Sequence, residues 1–178
     1  EGRMINVASR PSDQDREDFM LFVMTSSGLQ KWQLTTDETE KIYYESEVAR
    51  LAREALWSVW PAPDTAGAAA WLRVWLVDLA ITEEANSCVL VAGLNQHDSS
   101  NTVHYAVVQF RTLTAASPIG HSAVHMISQL SYCLGQTEEP RQYKIIKHED
   151  CLYVYSKDGI IITSLSGGQS SSSSINCR

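Results

Sequence analysis

Short runs of apolar and β-branched residues, some alternating with polar positions and some continuous, recur along the chain with turn residues between them. That is the pattern of strands in antiparallel sheets. Phe19 to Thr25 is the first clear run; it reaches Ser26-Ser27-Gly28, where Gly28 can take a positive φ, and returns as Leu29 to Leu34. The pattern predicts a β-hairpin. Near the other end Leu152 to Ser156 leads through Lys157-Asp158-Gly159 into Ile160 to Leu165, with Asp-Gly as the tight-turn signal. Written one above the other, LFVMTSSGLQKWQL and LYVYSKDGIIITSL align without gaps at an offset of 131 residues, pairing Leu21 with Leu152, Val23 with Val154, Gly28 with Gly159 and Leu34 with Leu165. Gly28 and Gly159 are thus candidate structural turn glycines in two copies of one unit. A third two-strand unit, Cys88 to Leu94 and Val103 to Thr112 around a polar loop, sits near the middle of that offset. The implied period of about 65 residues exceeds that of regular propeller repeats and fits blades that carry insertions.

One segment breaks the strand rhythm. Val48, Leu51, Ala52, Ala55, Leu56 and Val59 recur at helical spacing on one face, with Arg50, Arg53 and Glu54 mostly elsewhere. The spacing predicts an inserted α-helix near residues 46–60, with Ser46 as N-cap and Pro61 and Pro63 as its stop. Pro61 to Ala70 reads as a loop, and Trp71 to Ile81 as a return to strand. The expected fold class is all-β: a β-propeller of about three blades, part of a larger ring, with that short helix inserted. Residues 1–165 form the partial propeller. Residues 166–178, opening on Ser-Gly-Gly-Gln and five serines, are expected to be a flexible loop or tail with nothing to bury.

Composition narrows the function. An apolar fraction of 44% in 178 residues supplies a sizeable core. Fourteen Lys and Arg against 21 Asp and Glu give a formal charge of −7, which opposes direct attraction to nucleic acid. The longest apolar stretch, Ala66 to Ile81, is interrupted by Arg73 and Asp78 and is too short to cross a bilayer. The opening Glu1-Gly2-Arg3-Met4-Ile5 shows neither an initiator methionine nor the layout of a secretory signal and reads as cut from a longer polypeptide. Cys88, Cys133, Cys151 and Cys177 are widely spaced, and Cys88 and Cys151 open apolar runs, so reduced thiols are expected.

Candidate chemistry is sparse. No nucleophile elbow, phosphate-binding glycine loop or paired Cys-x-x-Cys is present, and no catalytic, cofactor or metal residues are assigned. His121 and His125 are four apart, but the residues between them suit a strand. Asp37, Glu38 and Glu40 read as a solvated turn, and His97, Asp98, Ser99, Ser100 and Asn101 as one hairpin loop. Trp57 with Trp60, and Trp71 with Trp75, are either core or exposed stacking surfaces, with packing favoured. Trp57, Trp60, Arg50 and Arg53 are retained as a candidate partner surface on the predicted helix.

The run LFVMTSSGLQKWQLTTDETEKIYYESEVARLAREALWSVW, residues 21–60, resembles the propeller of the nucleoporin 133 family: a hairpin ending in a Lys-Trp strand, an acidic turn, an aromatic strand and a short helix running to a tryptophan. WLRVWLVDLAITEEANSCVLVAGLNQHDSSNTVHYAVVQF is similar to that family's next blade. The resemblance covers about residues 15–165, weakens after Arg111, and extends to related scaffold nucleoporins such as the 155 class. It implies a seven-bladed propeller followed by a helical stack, placed at the nuclear envelope in the Y-shaped coat of the nuclear pore complex and supporting mRNA export. Implied partners are other nuclear pore scaffold proteins. Membrane contact would come only through a lipid-sensing family loop that has no counterpart in these residues. The alternatives are an adaptor propeller that binds peptides in signalling or trafficking, and a propeller glycosidase whose acids would converge on the ring axis.

Overall fold

The computed structural model describes residues 3–11, 19–35, 40–60, 69–82, 86–111, 120–135, 138–165 and 173–175. In chain order the strands are β1 (Met4–Pro11), β2 (Phe19–Thr25), β3 (Leu29–Leu34), β4 (Glu40–Ser46), β5 (Leu72–Ile81), β6 (Ser87–Asn95), β7 (Thr102–Arg111), β8 (Gly120–Cys133), β9 (Lys144–His148), β10 (Cys151–Ser156), β11 (Gly159–Ser164) and β12 (Ser173–Ile175). Among the described residues one α-helix, α1 (Val48–Ser58), lies between β4 and β5.

Each set of four consecutive strands forms its own antiparallel sheet, in the orders β1-β2-β3-β4, β5-β6-β7-β8 and β9-β10-β11-β12. These are three blades built as meanders. The hairpins expected from the sequence are β2–β3, β6–β7 and β10–β11, the second and third strands of successive blades. The gapless alignment therefore joins equivalent strands of blades 1 and 3. The first strands touch in series, β1 against β5 and β5 against β9, so they share one inner side of the array.

Alternation explains how the blades stack. Strand β6 is buried at every position, which requires both of its faces to be covered. Val89 and Val91 point to one core with Phe22, Met24 and Leu29 of blade 1; Cys88, Leu90, Ala92 and Leu94 point to the other with Leu152 and Val154 of blade 3. Blade 2 is thus the filling between its neighbours. Each large side chain buried there is worth roughly 1.5–3 kcal/mol relative to exposure, so the seams are the main source of stability.

Helix α1 joins the first of these cores. Val48, Ala52, Ala55 and Leu56 are buried, as the helical stripe requires, while Val59 has left the helix and is 40% exposed. The helix begins later than expected: Ser46 is not its N-cap but the last residue of β4, paired with Leu29, and the N-cap Glu47 makes no side-chain capping bond. Tertiary contact takes over that role, because Ala49 N donates to Ser27 O of the β2–β3 turn at 3.2 Å. Pro61 and Pro63 lie outside the described residues.

Two other boundaries differ from the sequence reading. Trp71 closes a 3-10 turn (Ala69–Trp71) and the strand starts at Leu72. In the expected tail, Ser173–Ile175 pairs with β11 as the outermost strand of blade 3. A serine-rich segment can do so because ladder pairing uses backbone N–H and C=O groups and needs no buried side chain. The rest of 166–178 lies outside the described residues.

Candidate partner surface and the buried links between blades

Of the four residues proposed as a partner surface, two face inward. Trp57 is half-buried and packs against the first core, and Trp60 meets the His104 ring edge-on at 5.0 Å. Trp60 also closes over Gly93 of β6: a Cβ there would stand 2.5 Å from Leu56 Cδ2 and 2.9 Å from Trp60 Cζ3. Only glycine lets the helix end approach this strand so closely. Gly93→Ala should therefore destabilise the fold by about 2 kcal/mol through overpacking. Gly135, where a Cβ would meet only the carboxylate end of exposed Glu138 at 3.0 Å, is the control. Urea unfolding curves should separate the two alanine variants clearly.

The arginines behave differently. Arg50 is exposed and paired with Glu47 at 3.2 Å and Glu54 at 2.8 Å along its own helix. Such exposed pairs contribute little to stability. Arg53 is half-buried, and its Nε is buried without a hydrogen-bond partner. The turn glycines close their hairpins as the fourth turn residue: Thr25 N donates to Gly28 O at 2.9 Å, and Gly159 pairs with Ser156. The central positions go to Ser26-Ser27 and Lys157-Asp158, none with a positive φ, so neither turn uses a glycine at its apex.

The groups with chemical potential are dispersed or engaged in packing. His121 and His125 both lie on β8, and four residues of strand span about 13 Å, too far for one metal ion to bridge. Among the described residues no three His, Cys, Asp or Glu side chains gather as a metal site. Burial lowers the pKa of His125, whose Nε2 is buried without a partner. In the β6–β7 loop, Asp98 accepts from Ser100 N and Oγ, both at 2.8 Å, which holds its carboxyl below the usual range. His97 packs on the Trp71 ring at 4.3 Å, and Asn101 donates to Leu134 O. The Asp98–Ser100 bonds satisfy the turn, and the Asn101 bond ties the loop to the end of β8. Cys88 is buried in the second core, where desolvation pushes its thiol up to about 11 and keeps it protonated and inert. Asp37 and Glu38 lie outside the described residues, and Glu40 opens β4.

One buried polar link has no counterpart among the sequence candidates. Asp78 of β5, with 1% exposure, accepts from Asn6 Nδ2 of β1 at 2.6 Å and from Lys144 Nζ of β9 at 3.1 Å through Oδ1. Its Oδ2 accepts from Ile145 N at 2.9 Å. A single carboxylate therefore ties the inner strands of all three blades together. The signal was a lone acid in the aliphatic half of β5, Leu76-Val77-Asp78-Leu79, which patterning alone registers only as an interruption.

No protein-family model matches the sequence, and no curated protein matches it. The solved structures give a clear likeness: the β-propeller domain of Nup133 from Vanderwaltozyma polyspora aligns with a TM-score of 0.70 at 13% identity, covering 98% of this chain and 48% of that one. The fold is that of a β-propeller like the Nup133 domain. The chain spans about half the length of the solved domain it matches.

Proposed function

We propose that this chain is a non-catalytic scaffold element of the nuclear pore complex, a rigid propeller platform in the outer-ring coat that engages other scaffold nucleoporins at the nuclear envelope. The observation that carries the reading is the propeller likeness to Nup133 over nearly the whole chain. The residue order of 21–60, from hairpin through aromatic strand to a helix running to a tryptophan, supports it independently. So does the employment of Asp78: the buried carboxylate on the inner side of the array is engaged in holding blades together. Through this coat the chain would contribute to nucleocytoplasmic transport and mRNA export.

The test is localisation at native expression. A fluorescent tag on the chromosomal copy should give a punctate nuclear rim that coincides with a scaffold nucleoporin, and proximity labelling should recover other members of the coat. Diffuse fluorescence, or labelling dominated by secretory or cytosolic proteins, overturns the assignment.

A further inference from the structure

A cleft opens at the end of the seam between blades 2 and 3, where the segment 138–143 passes the β10–β11 turn. It consists of two cavities of about 260 and 870 Å³ that share Arg141, Tyr143, Ser156 and Asp158. The smaller has an apolar floor of Leu130, Val154 and Ile161; the larger adds Lys144, Tyr155 and Lys157. Three cations thus face one acid, Asp158, in a chain whose formal charge is −7. Lys144 is partly committed, through its ion pair with Asp78 at 3.1 Å, which leaves Arg141 and Lys157 as the open charges.

Arg141 is held with unusual care for an exposed residue outside regular structure. Its N–H donates to Tyr132 OH at 2.8 Å, and its C=O accepts from Tyr105 OH at 2.9 Å. Its guanidinium lies 4.4 Å from the centre of the Tyr132 ring. Tyr105 itself is fully buried, with the Tyr143 ring edge-on at 5.1 Å. Two blade 2 strands therefore fix the Arg141 backbone, and the Tyr132 ring supports its guanidinium. Ordering such a side chain beforehand removes that entropy cost from a binding step. A planar guanidinium matches a carboxylate with two parallel hydrogen bonds.

We propose that this cleft is a docking site for an acidic peptide segment, which seats a carboxylate on Arg141 and lays a neighbouring apolar side chain over Leu130, Val154 and Ile161. The apolar floor favours a peptide over a polyphosphate or a bare nucleic-acid backbone. Nothing in the site depends on the pore assignment above.

The experiment titrates the whole chain into a fluorescein-labelled short peptide of glutamates around a central leucine and follows anisotropy. Saturable binding is expected, weakened about fivefold by Arg141→Ala and about twofold by Lys157→Ala, unchanged by Arg50→Ala on the distant helix, and reduced by salt. Arg141→Ala keeps both backbone bonds to the tyrosines, and a melting curve checks its fold. Lys157 sits on an exposed two-residue turn, so its variant stays folded in any case. Absence of saturation, equal binding of the glutamine version of the peptide, or indifference to both cleft substitutions overturns the proposal. So does tighter competition by inorganic pyrophosphate or single-stranded RNA than by the unlabelled peptide.

Discussion

Asp78→Ala should lower the unfolding free energy by about 3 kcal/mol, measured by urea denaturation of the whole chain. The carboxylate is almost fully buried and accepts from three donors on two other blades. Truncation leaves Ile145 N–H, in a buried position, without its acceptor, and Asn6 loses a 2.6 Å bond. Those two losses dominate. Lys144 contributes less, because its side chain is 54% exposed and its ammonium can return to water. Lys144→Ala should accordingly cost well under half as much as Asp78→Ala, and Asp78→Asn, which retains one acceptor oxygen, should fall between them. Equal effects from Lys144→Ala and Asp78→Ala would show that the ion pair, not the backbone link, carries the energy. A cost below about 1 kcal/mol for Asp78→Ala would show that the blades hold together without the link.

The second large effect is expected at the other seam. Phe22 has no exposed surface and sits where blade 1, α1 and blade 2 meet, so Phe22→Ala should cost about 4 kcal/mol from lost burial and the cavity left behind. Phe19, three residues earlier on the same strand, is 49% exposed and points to the opposite face. Phe19→Ala in this chain should cost a small fraction of that amount. The pair isolates the seam from strand propensity, since both changes remove the same side chain from β2. Similar costs at the two positions would mean that the first core is not the boundary between blades 1 and 2.

The parts of this fold visible in the linear pattern are those where burial is local and periodic. β2, β3, β6, β7, β10 and β11 alternate or run continuously apolar because they are the middle strands of their blades, covered on at least one face along their length. Their turns carry strong backbone signals, so the hairpins and the repeat between blades 1 and 3 are legible. The helix stripe is legible for the same reason. Inner and outer strands are harder to see. β9 is only Lys144–His148, alternating between exposed and buried, and β12 is three residues of mostly serine. They exist because a neighbouring strand offers unpaired backbone groups, which no side-chain pattern announces.

The candidate sites followed the same division. Trp57 and Trp60 could be read as core or surface from spacing alone; both pack against the first core, and Trp60 closes over Gly93. Ser46 looked like a cap, but strand pairing reaches it first, and a turn from the preceding hairpin supplies an acceptor to the helix start. Asp78 meets Asn6 and Ile145 across separations of 72 and 67 residues, and Tyr105 meets Arg141 across 36. By itself, the order of residues determined an all-β chain of repeated hairpins with one amphipathic helix, since period-2 and period-3.6 burial are properties of adjacent positions. Only the tertiary structure decided that three blades stack through two cores, that one carboxylate links their inner strands, and that two tyrosines hold the backbone of Arg141 at the edge of a cleft. Each of those is a meeting of distant residues whose geometry is created when the sheets pack.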